Sequence, residues 1–206
     1  MKIRTEYFDE TTEPKVQTRR FESILDAAAE IFKAKGYHHS TVADIARKVG
    51  LKKGSLYHHI KGKEQLLFEI VIHSLNLYVD SLTQILTSKK PPDEIVKDAI
   101  LAHMLLPVKE NFDRIYVFIN QFNELPDKFR QDVEIELKKY EELWISVIEK
   151  GKKEGVFRSD LNSKMTMLSI FGMCNWTMRW YKPEKEVGIE ELADMYARQV
   201  LEGIKT

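Results

Sequence analysis

Residues 40–67 read STVADIARKVGLKKGSLYHHIKGKEQLL, with helix-start and helix-stop signals packed closely together. Thr41 precedes Asp44 by three residues, the spacing of a capping box, in which each partner satisfies a free amide at the start of a helix. Val42, Ile45, Ala46 and Val49 then fall on one helical face. Gly50 suits the left-handed backbone that ends a helix. Leu51 is expected to turn back into the core, and Ala46 is small enough to let two helices approach. A second short helix is predicted over about Lys53–His59, with Gly62 breaking it. Two short helices joined in this way make a helix-turn-helix. Its second helix presents its N-terminus to base edges, which places Lys52, Lys53 and Ser55 there. Tyr57, His58 and Lys63 stand near expected phosphate positions and can donate to phosphate oxygens. The amides that open the helix at Thr41 and Val42 can do the same.

The pattern continues on both sides. Upstream, Phe21, Ile24, Leu25, Ala28, Ile31 and Phe32 keep a helical period that stops at Gly36, after Lys33 and Lys35. Residues 1–14 are polar, unpatterned and end at Pro14, as in a loose arm. Downstream, a long helix is predicted from about Lys63 to Thr87. Pro91–Pro92 break the chain. Further helices are predicted from Pro92 to about Pro107 or Glu110, across Phe112–Glu124, from Pro126 to about Glu154, from Asn162 or Ser163 to about Tyr181, and over Ile189–Ile204. The run IYVFIN at 115–120 could be a strand, but alone it has no pairing partner. The expected fold is all-α, with about nine helices in 206 residues. Its expected division is an arm at 1–14, a DNA-binding unit at 15–62, and an effector-binding and dimerisation unit at 63–206.

Formal charge sums to zero over the whole chain, which by itself would disfavour a nucleic-acid partner. Its distribution reverses that. Residues 15–63 carry +7, residues 1–14 carry −2, and residues 64–206 carry −5. A compact basic module on an acidic body suits contact with a polyanion confined to the module. An architectural DNA binder would instead be basic throughout. The single cysteine, Cys174, excludes an internal disulfide. The pairs His38–His39 and His58–His59 do not suggest a metal, because adjacent helical residues point about 100° apart. No Gly-rich phosphate loop, nucleophile elbow or His-Glu-x-x-His is present, so no enzyme is expected. Apolar runs are short and the N-terminus lacks an apolar leader, so neither a membrane span nor secretion is expected and the location is read as cytoplasmic.

Residues 16–75, and above all 40–67, resemble the DNA-binding domain of TetR-family transcriptional repressors. Gly36, Thr41, Ile45, Ala46, Gly50, Gly54, Leu56, Tyr57 and Lys63 carry the likeness. Ile60 and Gly62 depart from it, standing where Phe and a small polar residue are frequent. The resemblance implies an all-α homodimer that binds double-stranded palindromic operator DNA and holds a small-molecule effector in its C-terminal domain.

Within that domain, SIFGMCNWTMRWYKPE at 169–184 stands out. Trp176 and Trp180 are four residues apart, as are Asn175 and Arg179, so each pair shares a helix face. From Leu161 to Pro183 there are three cations, Lys164, Arg179 and Lys182, and no acid. The string NWTMRWYKP resembles family members that sense acyl-CoA thioesters in fatty-acid, aromatic-acid or sterol breakdown. That resemblance implies an acyl-CoA effector and no cofactor. An apolar tunnel would draw on Met104, Leu105, Tyr116, Ile119, Phe122, Met167, Phe171 and Trp176, while Arg179, Lys182 and Trp180 would meet the phosphates and adenine and Asn175 would lie beside them. Another hydrophobic metabolite or drug is the alternative. A Trp/Met/Phe stripe at helical spacing is equally the mark of ordinary packing. Gly172 permits close helix approach, and with Met165, Leu168, Phe171, Leu192, Met195, Tyr196 and Val200 it marks the last two helices as a dimer interface.

Overall fold

In the computed structural model, the Asp44 amide donates to Thr41 Oγ1 at 3.1 Å and the Thr41 amide donates to the Asp44 carboxylate at 3.2 Å. The expected capping box therefore opens α2 (Val42–Lys48). The structure describes residues 14–109, 112–182 and 187–206, with side chains from residue 19 onward. The arm expected at 1–14 lies, apart from Pro14, outside the described residues.

Helix α1 (Pro14–Lys35) ends at Gly36, whose φ is 78°. Gly50, with φ 67°, makes the turn out of α2, and its amide donates to the Arg47 carbonyl. Leu51 then packs against the core, its amide donating to the Ala46 carbonyl at 2.8 Å. Helix α3 (Lys53–Leu56) is a single turn, shorter than the Lys53–His59 predicted, and fully buries Leu56. Helix α4 (Lys63–Thr87) leaves this head and enters the body. Its Leu66, Leu67, Ile70, Val71 and Leu75 are wholly buried. Among the described helices only α4 has the length and apolarity of a membrane span, and 56% of its most apolar window lies inside the fold. That is the signature of a core helix.

The body adds α5 (Pro92–Lys109), α6 (Phe112–Gln121), a 3-10 turn at Phe122–Glu124, α7 (Asp127–Lys153), α8 (Ser163–Trp180) and α9 (Ile189–Ile204). The described residues thus form nine α-helices and no strand. IYVFIN lies in α6, which packs against α1, α4 and α5, so Ile115 and Val117 are both buried although they point to different sides of the helix. Its β-branched residues gain more from that contact than an unpaired strand could offer. Helix α5 packs against α4, α6, α7, α8 and α9, so it is the centre of the body.

Candidate DNA interface and effector cleft

The head presents most of the expected DNA-contacting groups to solvent. Thr41 is exposed at the start of α2, with Val42 half-buried beside it. Lys52 and Lys53 are exposed at the start of α3 and hold no ion pair among the described residues. Ser55 is half-buried, His58 is exposed, and the Tyr57 side chain is 48% exposed despite its size. Two free ammonium groups and an exposed phenol on the second helix of the motif are groups that can read bases and hold phosphates.

Lys63 is turned elsewhere. Its ammonium donates to the carbonyls of Tyr37, His38 and Ser40, at 2.9, 3.4 and 3.1 Å, and lies 4.3 Å from the Tyr37 ring centre. These carbonyls belong to the turn between α1 and α2. The Lys63 ammonium, expected at a phosphate, is thus hydrogen-bonded within the head in this structure.

The body contains a narrow cleft lined by residues of α4, α5, α6, α8 and the start of α9. Met104 and Asn175, both expected to meet ligand, line it. So do Tyr78, His103, Pro107, Phe112, Cys174 and Tyr181. Among the described residues, no lysine, arginine, aspartate or glutamate does. At its heart is a buried polar chain. His103 Nδ1 lies 2.9 Å from Tyr140 Oη, and His103 Nε2 lies 2.9 Å from Asn175 Oδ1. A neutral imidazole fits this pattern, accepting from the tyrosine and donating to the amide oxygen. Burial holds the His103 pKa down at about 4, against a favourable hydrogen bond to Asn175. The Tyr78 ring lies 4.6 Å from that of His103, and Phe171 closes the group at 5.4 Å from both His103 and Tyr140. Burial pushes the Cys174 thiol up to about 12, so at neutral pH it is not a thiolate nucleophile.

The remaining expected ligand residues lie apart from this cleft. Trp176 is 59% exposed and Trp180 45% exposed, with the Arg179 guanidinium 5.0 Å from the Trp176 ring centre. They share one face of α8 with Met165, Leu168 and Gly172, all exposed. The placing of Trp176 in an apolar tunnel is thereby corrected. Phe171, expected both in the tunnel and at the interface, faces the interior against His103 and Tyr140. Tyr116 and Phe122 pack around α6, near Phe112 and Phe118 respectively. Lys182 is exposed directly after the cleft residue Tyr181. Sequence reasoning missed His103, although a lone histidine inside the apolar run AILAHMLL (99–106) was a signal. Tyr78 and Tyr140 sit on the apolar faces of α4 and α7, where nothing local sets them apart from core.

The cleft and the head are joined by α6. Phe112, its first residue, lines the cleft, and Lys33 of α1 lies 4.5 Å from its ring while pairing with Asp113 at 2.6 Å. Arg114, only 7% exposed, pairs with Glu22 and Asp26 of α1 at 2.7 Å each and donates to the Glu22 carbonyl. Gln121 donates to the Phe32 carbonyl.

Residues 24–70 match the profile of bacterial regulatory proteins of the tetR family, and residues 89–204 match that of the tetracyclin repressor-like C-terminal domain. The second match alone covers more than half of the chain. The chain belongs to the TetR family. It is a DNA-binding transcriptional repressor of that family. Among its relatives is the HTH-type transcriptional repressor KstR2 of Mycolicibacterium smegmatis, 29% identical over 93% of each chain. The fatty acid metabolism regulator protein of Bacillus subtilis is 22% identical, covering 90% of this chain and 95% of the relative. Among solved structures, the ketosteroid transcriptional regulator KstR2 of Mycobacterium tuberculosis superposes with a TM-score of 0.83 at 27% identity, over 91% of this chain and 95% of that one. AibR, solved with isovaleryl coenzyme A and operator DNA, shares the fold with a TM-score of 0.80 at 24% identity, over 87% and 97% of the two chains.

Proposed function

We propose that this repressor binds palindromic operator DNA in the cytoplasm as a homodimer, without catalytic activity, and is released by an acyl-CoA thioester. One observation carries the effector class. The cleft is apolar and free of charge among the described residues, while exposed Lys109 and Lys182 directly follow its lining residues Val108 and Tyr181. A ligand with an uncharged, greasy end and an anionic end matches that arrangement: the acyl group enters and the CoA phosphates stay at the rim. The relatives named for ketosteroid and fatty-acid regulation support a metabolite of this kind.

Dimerisation is supported by the exposed apolar face of α8. Met165, Leu168, Trp176 and Trp180, with Met195 of α9, are large apolar side chains left in water by one chain. A second copy would bury them and form a four-helix interface. The pair must then place its two heads about 34–36 Å apart, or a multiple of that, to meet successive major grooves.

Release requires that ligand favour a conformation that DNA does not. Both α4 and α6 run from cleft to head: α4 carries Tyr78 and Lys63, and α6 carries Phe112 and Arg114. A ligand that displaces Phe112 or Tyr78 moves the grip on α1 and changes the separation of the heads. The deciding experiment is operator release by a panel of acyl-CoAs and free hydrophobes. Release by acyl-CoAs is expected; release by the free hydrophobes alone would refute the reading.

A further inference from the structure

The polar chain inside the cleft leaves donors unused. The Tyr78 hydroxyl is wholly buried and has no hydrogen-bond partner, while His103 and Asn175 beside it are paired. Asn175 accepts from His103 through its oxygen, and its carboxamide N–H groups make no hydrogen bond among the described residues. A buried hydroxyl without a partner is costly, and a fold retains one where something else completes it. Both unused groups are neutral donors. What they lack is an acceptor.

We infer that Tyr78 and Asn175, with His103 as a positioning residue, form a carbonyl-binding subsite that selects an esterified acid over the free acid. The subsite rests on the acyl-CoA reading above and deepens it. A carbonyl oxygen accepts two hydrogen bonds without bringing charge. A carboxylate would accept the same bonds, but it would enter a space where no described cation faces it. Two uncharged donors in so apolar a cleft replace only part of the hydration that an ion loses. His103 does not supply the missing charge, since its burial between Tyr140 and Asn175 favours the neutral imidazole. The carbonyl read in this way is that of the thioester itself or a keto oxygen further along the acyl group.

The test uses the full-length protein and titrations with matched straight-chain acyl-CoAs and alkyl-CoA thioethers, which differ only in the carbonyl oxygen. Methyl esters and free acids of the same chains complete the set, with 3-oxoacyl-CoAs to separate the two carbonyl positions. The thioester is expected to bind about tenfold more tightly than the thioether, the worth of one net hydrogen bond. If a keto oxygen is the one read, the tenfold gain instead appears between 3-oxoacyl-CoA and acyl-CoA. The free acid is expected to bind about a hundredfold more weakly than its methyl ester at neutral pH. Tyr78→Phe should reduce the carbonyl preference from about tenfold to about threefold, with Asn175 still donating, yet melt no lower than wild type, because the hydroxyl it removes has no protein partner to lose. A hydroxyl of purely structural worth would show the reverse. Equal affinity for all matched CoA pairs would overturn the subsite and leave the acyl-CoA reading intact. If no CoA derivative binds but methyl esters are preferred over free acids, the subsite stands and the acyl-CoA reading falls. If no ligand in the set binds, both fall.

Discussion

Replacing Arg114 by methionine keeps most of the side chain's apolar stem and removes the guanidinium that fastens α6 to α1. In the native fold that group is 7% exposed and meets two carboxylates and one carbonyl. Breaking a fully buried pair costs about 3–5 kcal/mol, because the surviving partner is stranded. Here the partners are not stranded: the Glu22 and Asp26 side chains are 45% and 51% exposed and can be solvated by water. The loss is therefore smaller, about 2–3 kcal/mol, the worth of hydrogen bonds to charged groups. For a chain of this size each kcal/mol moves the melting temperature by about 2–4 °C, so the variant should melt about 4–12 °C lower. Operator affinity without ligand should change by only a few-fold, since the head keeps its own core. The response to ligand should fall steeply, because Phe112 could then move without carrying α1. The assay is operator binding by fluorescence anisotropy, with and without a releasing acyl-CoA, beside a thermal melt. A variant with wild-type melting and full ligand response would show that α6 is not the connection.

Acid should destabilise the fold through His103. Its pKa is about 4 when folded and about 6.5 when unfolded, so below neutrality the unfolded chain binds the extra proton. Stability should fall by about 3 kcal/mol as pH drops from about 6.5 to about 4 and then level off for this group; a His103→Gln melt series should lack that component. Gly151→Ala would put a Cβ 2.0 Å from the Phe157 ring, so a loss of about 1–3 kcal/mol is expected in chemical denaturation. Lys53→Ala should change sequence preference, whereas Tyr57→Ala should weaken binding to operator and random DNA alike in gel-shift titrations. Trp176→Glu should shift the protein from dimer to monomer in analytical ultracentrifugation and leave the melting temperature of the monomer within a few degrees of the parent's.

The helix starts and stops were legible because local chemistry sets them. Thr41 and Asp44 need only each other to cap α2, and Gly36 and Gly50 take positive φ wherever they are packed. Direction was less legible than position. The sequence shows a lysine at 63 near a DNA-binding motif, but not that three carbonyls in the turn between α1 and α2 converge on its ammonium. Helical spacing likewise puts Trp176 and Trp180 on one face without saying whether that face is inside or out. The structure settles this because α8 turns Phe171 and Cys174 inward, which leaves the tryptophans in water. His103, Tyr140 and Asn175 come from three different helices, and no local pattern links residues 37 and 72 positions apart.

The tripod of carbonyls around Lys63 also constrains how this molecule can answer a ligand. With the first turn of α4 held to the turn between α1 and α2, the reading helix cannot be re-aimed on its own. The head must travel as a rigid body pivoting where α4 enters the body. In a rigid rotation, displacement grows with distance from the pivot. A tilt that shifts atoms by a fraction of an ångström at Tyr78 becomes a larger shift at Lys53, more than two turns of α4 and the whole of α3 away. In the proposed dimer, control of DNA binding would then be geometric gain: the affinity of each head for its half-site would stay untouched, and only the spacing between the two would be spoiled.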